Sequence, residues 1–318
     1  LGWLIFDKQD SRVNVLTKAA MAELGQAMDQ IEALAKDGSI KALGMLSAKQ
    51  GSFIFGADVN EFKDLTVESE IGPMIAEAHA LFQRVEDLPV HTAVGIHGLC
   101  LGGGLELALA FKTIIGVKDD KTKVGFPEVQ LGIFPGFGGT ARSIKRAGGQ
   151  AALTAMLTGK HFRASAAKAM GLIDKTINDP LGLRWAVRKE LLKPSKPRKP
   201  GLMARATTWP IARGIVAGMA EKQVAKKANP DHYPAPYTIL EHFKKNGGSE
   251  KALYAGEVEL FPKLMVSDTS KNLRRIFHLQ DRMKKQSGAK FKAQRVHVVG
   301  AGLMGGDIAA YCALQGLE

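Results

Sequence analysis

The stretch GIHGLCLGGGLELALAF, residues 95–111, decides how the chain is read. An apolar run ending at Leu101 meets three successive glycines, Gly102 to Gly104, and then a dense apolar segment around one acid, Glu106. That order predicts a buried strand, a tight turn and a helix start. The first turn of a helix carries amide hydrogens with no intrahelical acceptor and the positive end of the helix dipole, and glycine lets another molecule approach them closely. Gly103 is therefore a candidate oxyanion donor. Glu106 lies about one turn further on, so its carboxylate projects beside the same place. Upstream, FGAD (55–58) sets a Gly-Ala turn at a strand end and offers the Ala57 N–H as a second donor. Downstream, Glu128 follows Pro127 in the glycine-rich loop FPEVQLGIFPGFGGT (126–140). Two carboxylates and two backbone donors around one cavity suit general acid–base work on a polarised carbonyl compound. Spacing alone leaves a plainer reading open, in which the glycines make a packing turn and Glu106 complements a helix dipole.

Outward from this stretch, roughly the first 180 residues alternate short β-rich runs with helix-period segments, the pattern of an α/β unit. LGWLIFD (1–7), IKALGMLSA (40–48), SFIFGAD (52–58), VHTAVGIHG (90–98) and KTIIGV (112–117) read as strands. Leu24, Met28, Ile31 and Leu34 recur at three- and four-residue spacing, predicting an amphipathic helix over 17–36 that Asp37-Gly38 ends. A second is predicted over 71–88, stopped by Pro89. From about residue 183 the β-branched runs vanish and basic helical segments take over. At Arg295 the character changes again: RVHVVGAGLMGGDIAAYCALQG (295–316) reads as a strand, a glycine turn and a helix start. Gly300, Gly302 and Gly305 there fit the G-x-G-x-x-G dinucleotide fingerprint.

Composition narrows the function classes. The 318 residues are 45% hydrophobic and 24% charged, globular values that exclude disorder as the main state. Cys100 and Cys312 stand far apart without ligand-spaced partners, which argues against a disulfide framework or a metal site and for a reducing compartment. No apolar run reaches the roughly 18–20 residues that span a bilayer, and no signal peptide opens the chain at Leu1; a soluble protein is expected. The formal charge of +13 is uneven: between Arg184 and Lys227, 12 Lys/Arg face only Glu190 and Glu221. A nucleic-acid-binding surface is not expected from this distribution. The stretch KPSKPRKP (193–200) reads as an exposed, proline-stiffened linker, and anion steering or contact with a membrane surface is the alternative.

The quoted blocks, GIHGLCLGGGLELALAF with FIFGADVNEF before it and FPEVQLGIFPGFGGTAR after it, resemble the crotonase (enoyl-CoA hydratase/isomerase) superfamily. LTGKHFRASAAKAMGLID, HYPAPYTILE and the 295–316 block are similar to the alpha-subunit family of fatty acid oxidation complexes, in its bacterial anaerobic-type form. The resemblance spans almost the whole chain. It implies a crotonase-like ββα spiral core over 1–182, a helical basic linker over 183–292, and over 293–318 the truncated start of a Rossmann domain. Ala57 and Gly103 N–H groups would bind a thioester oxygen. Glu106 would hold and activate water for attack on C3 of a trans-2-enoyl-CoA, and Glu128 would supply the proton to C2. Lys49, on the turn before the oxyanion strand, would meet a CoA phosphate. His97, where many relatives have Asn, is read as a packing or turn residue.

The resemblance further implies that hydration needs no cofactor, with acyl-CoA as substrate. NAD would serve only the full-length parent at Gly300, Gly302 and Gly305, because the ribose-binding acid and the rest of that sheet are not in the sequence. The chain is thus expected to be an N-terminal fragment of a bifunctional enzyme whose parent joins a thiolase subunit, in the bacterial cytoplasm rather than the mitochondrial matrix. Possession of both glutamates favours hydration over an isomerase-only crotonase, which needs a single base, and over a non-catalytic acyl-CoA-binding fragment.

Overall fold

The computed structural model describes residues 1–196, 198–286 and 293–318. Among them nine strands form: β1 (Gly2–Phe6), β2 (Ala42–Ser47), β3 (Ser52–Ile54), β4 (His91–Ile96), β5 (Leu99–Leu101), β6 (Thr113–Val117), β7 (Lys123–Gly125), β8 (Phe162–Arg163) and β9 (Lys175–Ile177). The helices are α1 (Lys18–Lys36), α2 (Glu68–Asp87), α3 (Gly103–Leu109), α4 (Gly139–Ala147), α5 (Gly149–Thr158), α6 (Ala164–Met170), α7 (Leu183–Leu192), α8 (Leu202–Ala206), α9 (Pro210–Ala225), α10 (Ala235–Asn246), α11 (Glu250–Met265), α12 (Asp268–Gln286) and α13 (Leu303–Leu314). Residue 197 of the linker stretch and the linker's end at 287–292 lie outside the described residues.

One sheet runs β1-β2-β4-β6-β9, all parallel, and the second runs β3-β5-β7-β8 with only β8 antiparallel. Successive pairs β2–β3, β4–β5 and β6–β7 each give one strand to each sheet, so the chain winds as a spiral of ββ steps joined by helices. Parallel sheets are covered on both faces, and β4 shows it: every residue from Thr92 to Ile96 is buried. Thr17 accepts from the Ala20 N–H and caps α1, while Leu24 and Met28 bury its apolar face.

The chain separates into two compact units, Leu1–Arg274 and Arg275–Glu318. The change of composition at 183 is therefore not a break in packing. Leu183, Val187 and Leu191 of α7 cover Ala42, Leu46, Ala93, Ile115 and Val117 on the outer face of the first sheet. In the second unit one expectation is corrected: the strand over 296–299 does not form. A strand exists by pairing, and this stretch has no neighbouring strand among the described residues. Instead the Val296 N–H donates to the Glu318 carbonyl and the Glu318 N–H to that of Gln294.

Candidate active site

The quoted stretch folds as β5, a turn and α3. Gly102 takes φ +50°, a left-handed value that only glycine adopts freely, and its N–H is fixed by the Gly125 carbonyl. A Cβ on Gly104 would lie 2.5 Å from the Ile54 carbonyl oxygen, so the helix starts tight against β3. Every residue of α3 is buried. Across from it, Gly56 at φ +105° turns the chain after β3, and a Cβ there would lie 3.6 Å from the Gly103 nitrogen. Residues 56–57 and 102–103 are thus neighbours. The flanking amides of that loop are taken, Phe55 N–H by Asn14 and Asp58 N–H by Leu16, but the Ala57 N–H has no acceptor among the described residues. Gly103, as first residue of α3, has an N–H with no intrahelical acceptor. Two unengaged donors therefore stand side by side.

Glu106, 2% exposed, accepts from the Phe137 and Gly139 N–H groups, each at 2.7 Å on Oε1. Gly139 has no room for a side chain, since its Cβ would come 2.6 Å from that oxygen. Glu128 sits in the short 3₁₀ turn Pro127–Leu131, which Gly132 ends at φ +72°. Its Oε1 would lie 2.6 Å from a Cβ on Gly102, and its Oε2 is buried with no partner among the described residues. Burial, then the neighbouring carboxylates of Glu128 and Glu257, push the Glu106 carboxyl well above the ordinary carboxylate range, against the pull of the two amides. Burial pushes Glu128 up to about 8, opposed by a backbone hydrogen bond and assisted by Glu257.

A cavity of about 530 Å³ opens beside the donors, lined by Ala57 and Phe137 and by apolar side chains including Met21, Phe62, Met74 and Leu81. Neither carboxylate lines it; Glu106 is bound to the N–H of its lining residue Phe137, and Glu128 lies against Gly102, next to the Gly103 donor. A larger space of about 1050 Å³ borders the opposite end of α3, among Lys112, Arg146 and Arg213, and contains neither donors nor the acid pair. Of the two spaces, only the smaller one adjoins the candidate donors.

Lys49 stands on the turn between β2 and β3. Its side chain is 15% exposed and its ammonium binds Asp7 at 2.6 Å and the Lys8 carbonyl at 2.7 Å. Asp7 offsets its charge, and one of its three N–H donors stays without a partner among the described residues. His97 pins its own turn to the Lys49 carbonyl at 2.5 Å. In the second unit Gly300 takes φ +113°, and a Cβ on Gly305 would collide with the Gly300 carbonyl, so the glycines are sterically required there. Gly302 caps α13. Yet α13 buries none of its residues and, among the described residues, no strand accompanies it, so the residues present do not form a dinucleotide crevice. Among the described residues no group of three or more His, Cys, Asp and Glu could hold a metal ion.

One residue escaped the sequence reading. Glu257 of α11, fully buried, reaches the turn that holds Glu106. Its signal was present: it shares a four-residue spacing with Leu253 and Phe261, and an acid inside an apolar stripe needs buried partners.

A sequence model of the enoyl-CoA hydratase/isomerase family matches residues 7–185. The chain belongs to that family. Relatives of the enoyl-CoA hydratase/isomerase chain include the fatty acid oxidation complex subunit alpha of Aliivibrio fischeri, 37% identical over 315 residues, which are 97% of this chain and 45% of that protein. The protein of the same name from Shewanella halifaxensis is 37% identical over 317 residues, 96% of this chain and 44% of its own length. The chain thus spans less than half the length of the curated relatives it matches. Among solved structures, an enoyl-CoA hydratase from Rhodobacter sphaeroides superposes with a TM-score of 0.67 at 16% identity, covering 88% of this chain and 87% of its own. One from Bacillus halodurans gives 0.61 at 18%, covering 86% and 95%. At these identities the likeness establishes the fold, the crotonase spiral.

Proposed function

We propose that the chain is an enoyl-CoA hydratase, adding water across trans-2-enoyl-CoA to give 3-hydroxyacyl-CoA, without a cofactor. The observation that carries this is the pair of unengaged N–H donors on Ala57 and Gly103 beside an apolar cavity, with the buried Glu106 and the buried Oε2 of Glu128 close to the same turn. The acyl chain takes the cavity and the thioester oxygen takes the two donors. Water held at Glu106 attacks C3 and gives its proton to that carboxylate, whose anion the Phe137 and Gly139 amides favour. Electron density moves to the thioester oxygen as an enolate, which the donors stabilise by roughly 2.7–4 kcal/mol each in comparable sites. Glu128, held protonated at neutral pH, delivers its proton to C2. The two-acid arrangement supports hydration over isomerisation alone, which needs one base.

The test is crotonyl-CoA hydration followed by loss of enoyl-thioester absorbance. Glu106→Gln and Glu128→Gln should each lower kcat by about 10²–10⁴ with acyl-CoA affinity nearly kept. Unchanged turnover in either removes that residue from the mechanism. Because Glu106 must be ionised to take the water proton and Glu128, raised to about 8, must be protonated to give one, hydration should fall at low pH as Glu106 is protonated and fall again as pH rises through about 8. A profile with no basic fall up to pH 10 would exclude Glu128 as the proton donor.

The wider reading is likewise a proposal, drawn from the family resemblance in the sequence, since the relatives' name says only that they are the alpha subunit of a fatty acid oxidation complex. The parent protein carries a 3-hydroxyacyl-CoA dehydrogenase using NAD, works with a thiolase subunit in the bacterial cytoplasm, and touches membrane surface through α9. On that helix Ile211, Ile215 and Met219 are exposed at four-residue spacing among cations.

A further inference from the structure

Four successive amides of the turn leading into α4 point alternately at two buried carboxylates. The Phe137 and Gly139 N–H groups donate to Glu106, both at 2.7 Å. The Gly138 and Thr140 N–H groups donate to Glu257, at 2.7 and 3.0 Å, and the Thr140 hydroxyl donates to Glu257 as well. Alternation is possible because Gly138 takes φ +92°, which turns neighbouring amides to opposite sides. His79 of α2 completes the set. Its Nε2 lies 2.8 Å from both the Gly136 carbonyl and Glu257 Oε2; both are acceptors, so this nitrogen carries a hydrogen and donates. Glu257 thus receives hydrogen bonds from four donors on two elements while belonging to a third, α11.

We propose that Glu257 is the positioning residue for Glu106: it fixes the odd-numbered amides of the turn by binding the even-numbered ones, and so lets the helical region set the geometry and charge of the hydration site. The inference rests on the hydratase reading for its kinetic consequences, though not for the coupling itself. The groups facing Glu257 are His79 from α2, Thr140 from α4, Glu106 from α3, Glu128 from the 127–131 turn, His242 from α10 and Tyr254 on its own helix. Arg142 donates to the Phe137 carbonyl from the other side and braces the same turn. Glu257 therefore acts on the acids in two ways, by holding an amide frame and by adding a negative charge that keeps Glu106 and Glu128 protonated to higher pH.

Glu257→Gln separates these effects. Glutamine offers one acceptor oxygen and turns an NH₂ toward groups that are themselves donors, so the turn loses anchors and the charge is gone. With crotonyl-CoA, kcat should fall about tenfold or more with KM changed less than about twofold, as expected for misaligned chemistry. The basic limb of the rate profile should also move to lower pH, because Glu128 then loses its proton more readily. Glu257→Asp keeps the charge but not the reach, so its kcat should fall while the limb stays at the wild-type pH. Glu259→Gln, on an exposed acid of the same helix, should change neither. If the glutamine variant does not fold, the aspartate variant and Thr140→Val carry the kinetic test. Amide hydrogen exchange reads the coupling independently: in Glu257→Gln or Glu257→Asp, the Phe137 and Gly139 amides, which never touch Glu257, should lose protection along with Gly138 and Thr140. Faster exchange at Gly138 and Thr140 alone, or wild-type kcat in the glutamine variant, overturns the proposal. Absence of hydration in the wild type would instead sink the hydratase reading and leave the exchange result to decide this one.

Discussion

Two glycine-rich turns in this chain begin helices and meet opposite fates. Gly102 to Gly104 follow a strand seated between β3 and β7, and the helix they start is buried along its whole length. Gly300, Gly302 and Gly305 start α13, which buries nothing and, among the described residues, follows no strand. Both turns supply what glycine supplies: positive φ at Gly102 and Gly300, and close approach at Gly104 and Gly305. The difference lies in their surroundings. An unengaged N–H facing water is already hydrogen-bonded, whereas one facing an apolar cavity acts at low dielectric and keeps its strength for a ligand. A sequence motif provides donors, and packing determines what they are worth.

The sharpest way to break this comparison is to remove the donor at the buried turn. Proline is tolerated in the first helical turn but has no N–H, so Gly103→Pro deletes the donor while sparing α3. The nearest atoms to a new Cβ, 3.1 Å away, belong to the Leu16 and Phe137 side chains rather than to backbone. Hydration should drop by about 10²–10³ in kcat with the fold intact, checked by circular dichroism. A folded variant that retains turnover would show the Gly103 N–H to be dispensable. At the other turn, calorimetric titration with NADH should show no micromolar binding; a micromolar constant would mean that an exposed glycine turn suffices after all.

Legibility in the sequence followed the same divide. Glu106, Gly103 and Ala57 could be put forward from the sequence because the roles proposed for them are local, each within a few residues of the turn that positions it. The spiral was not readable from spacing, because β3, β5, β7 and β9 are too short, at three residues each, to show an alternating pattern. It came from the family resemblance. Glu257 was missed for another reason: it acts on a turn more than a hundred residues earlier, and nothing near residues 136–140 announces a distant acid. For Lys49 nothing in the sequence signals its ion pair, because Asp7 stands forty-two residues away, just past the end of β1. The 296–299 strand misled because β-propensity describes a residue that has neighbours, and these have none among the described residues.

A smaller effect is expected from enlarging the buried turn without touching its donor. Gly104→Ala places a methyl 2.5 Å from the Ile54 carbonyl oxygen and 2.8 Å from its Cβ, both in a strand that cannot yield. Overpacking of this kind costs about 1–3 kcal/mol, which lowers the melting temperature of the first unit by several degrees. An unchanged midpoint would mean that α3 can slide away from β3, contrary to its close seating.

The smallest effect should have the opposite sign. Gly306 lies inside α13, its N–H donates to the Gly302 carbonyl, and a Cβ there meets nothing within 4 Å. With no neighbour to clash with, the only change made by Gly306→Ala is in backbone freedom. An interior helical glycine is less favourable than alanine by roughly 0.5–1 kcal/mol. The helix should therefore gain that much, seen as slower amide exchange over 303–314, while the melting midpoint of the first unit and its hydration rate stay where they are. Alanine at one turn then destabilises a packed unit and at the other firms up an exposed helix, although both replace a glycine near the start of a helix after an apolar run. Loss of protection in Gly306→Ala would reveal a packed face on α13 and end the contrast between the two turns.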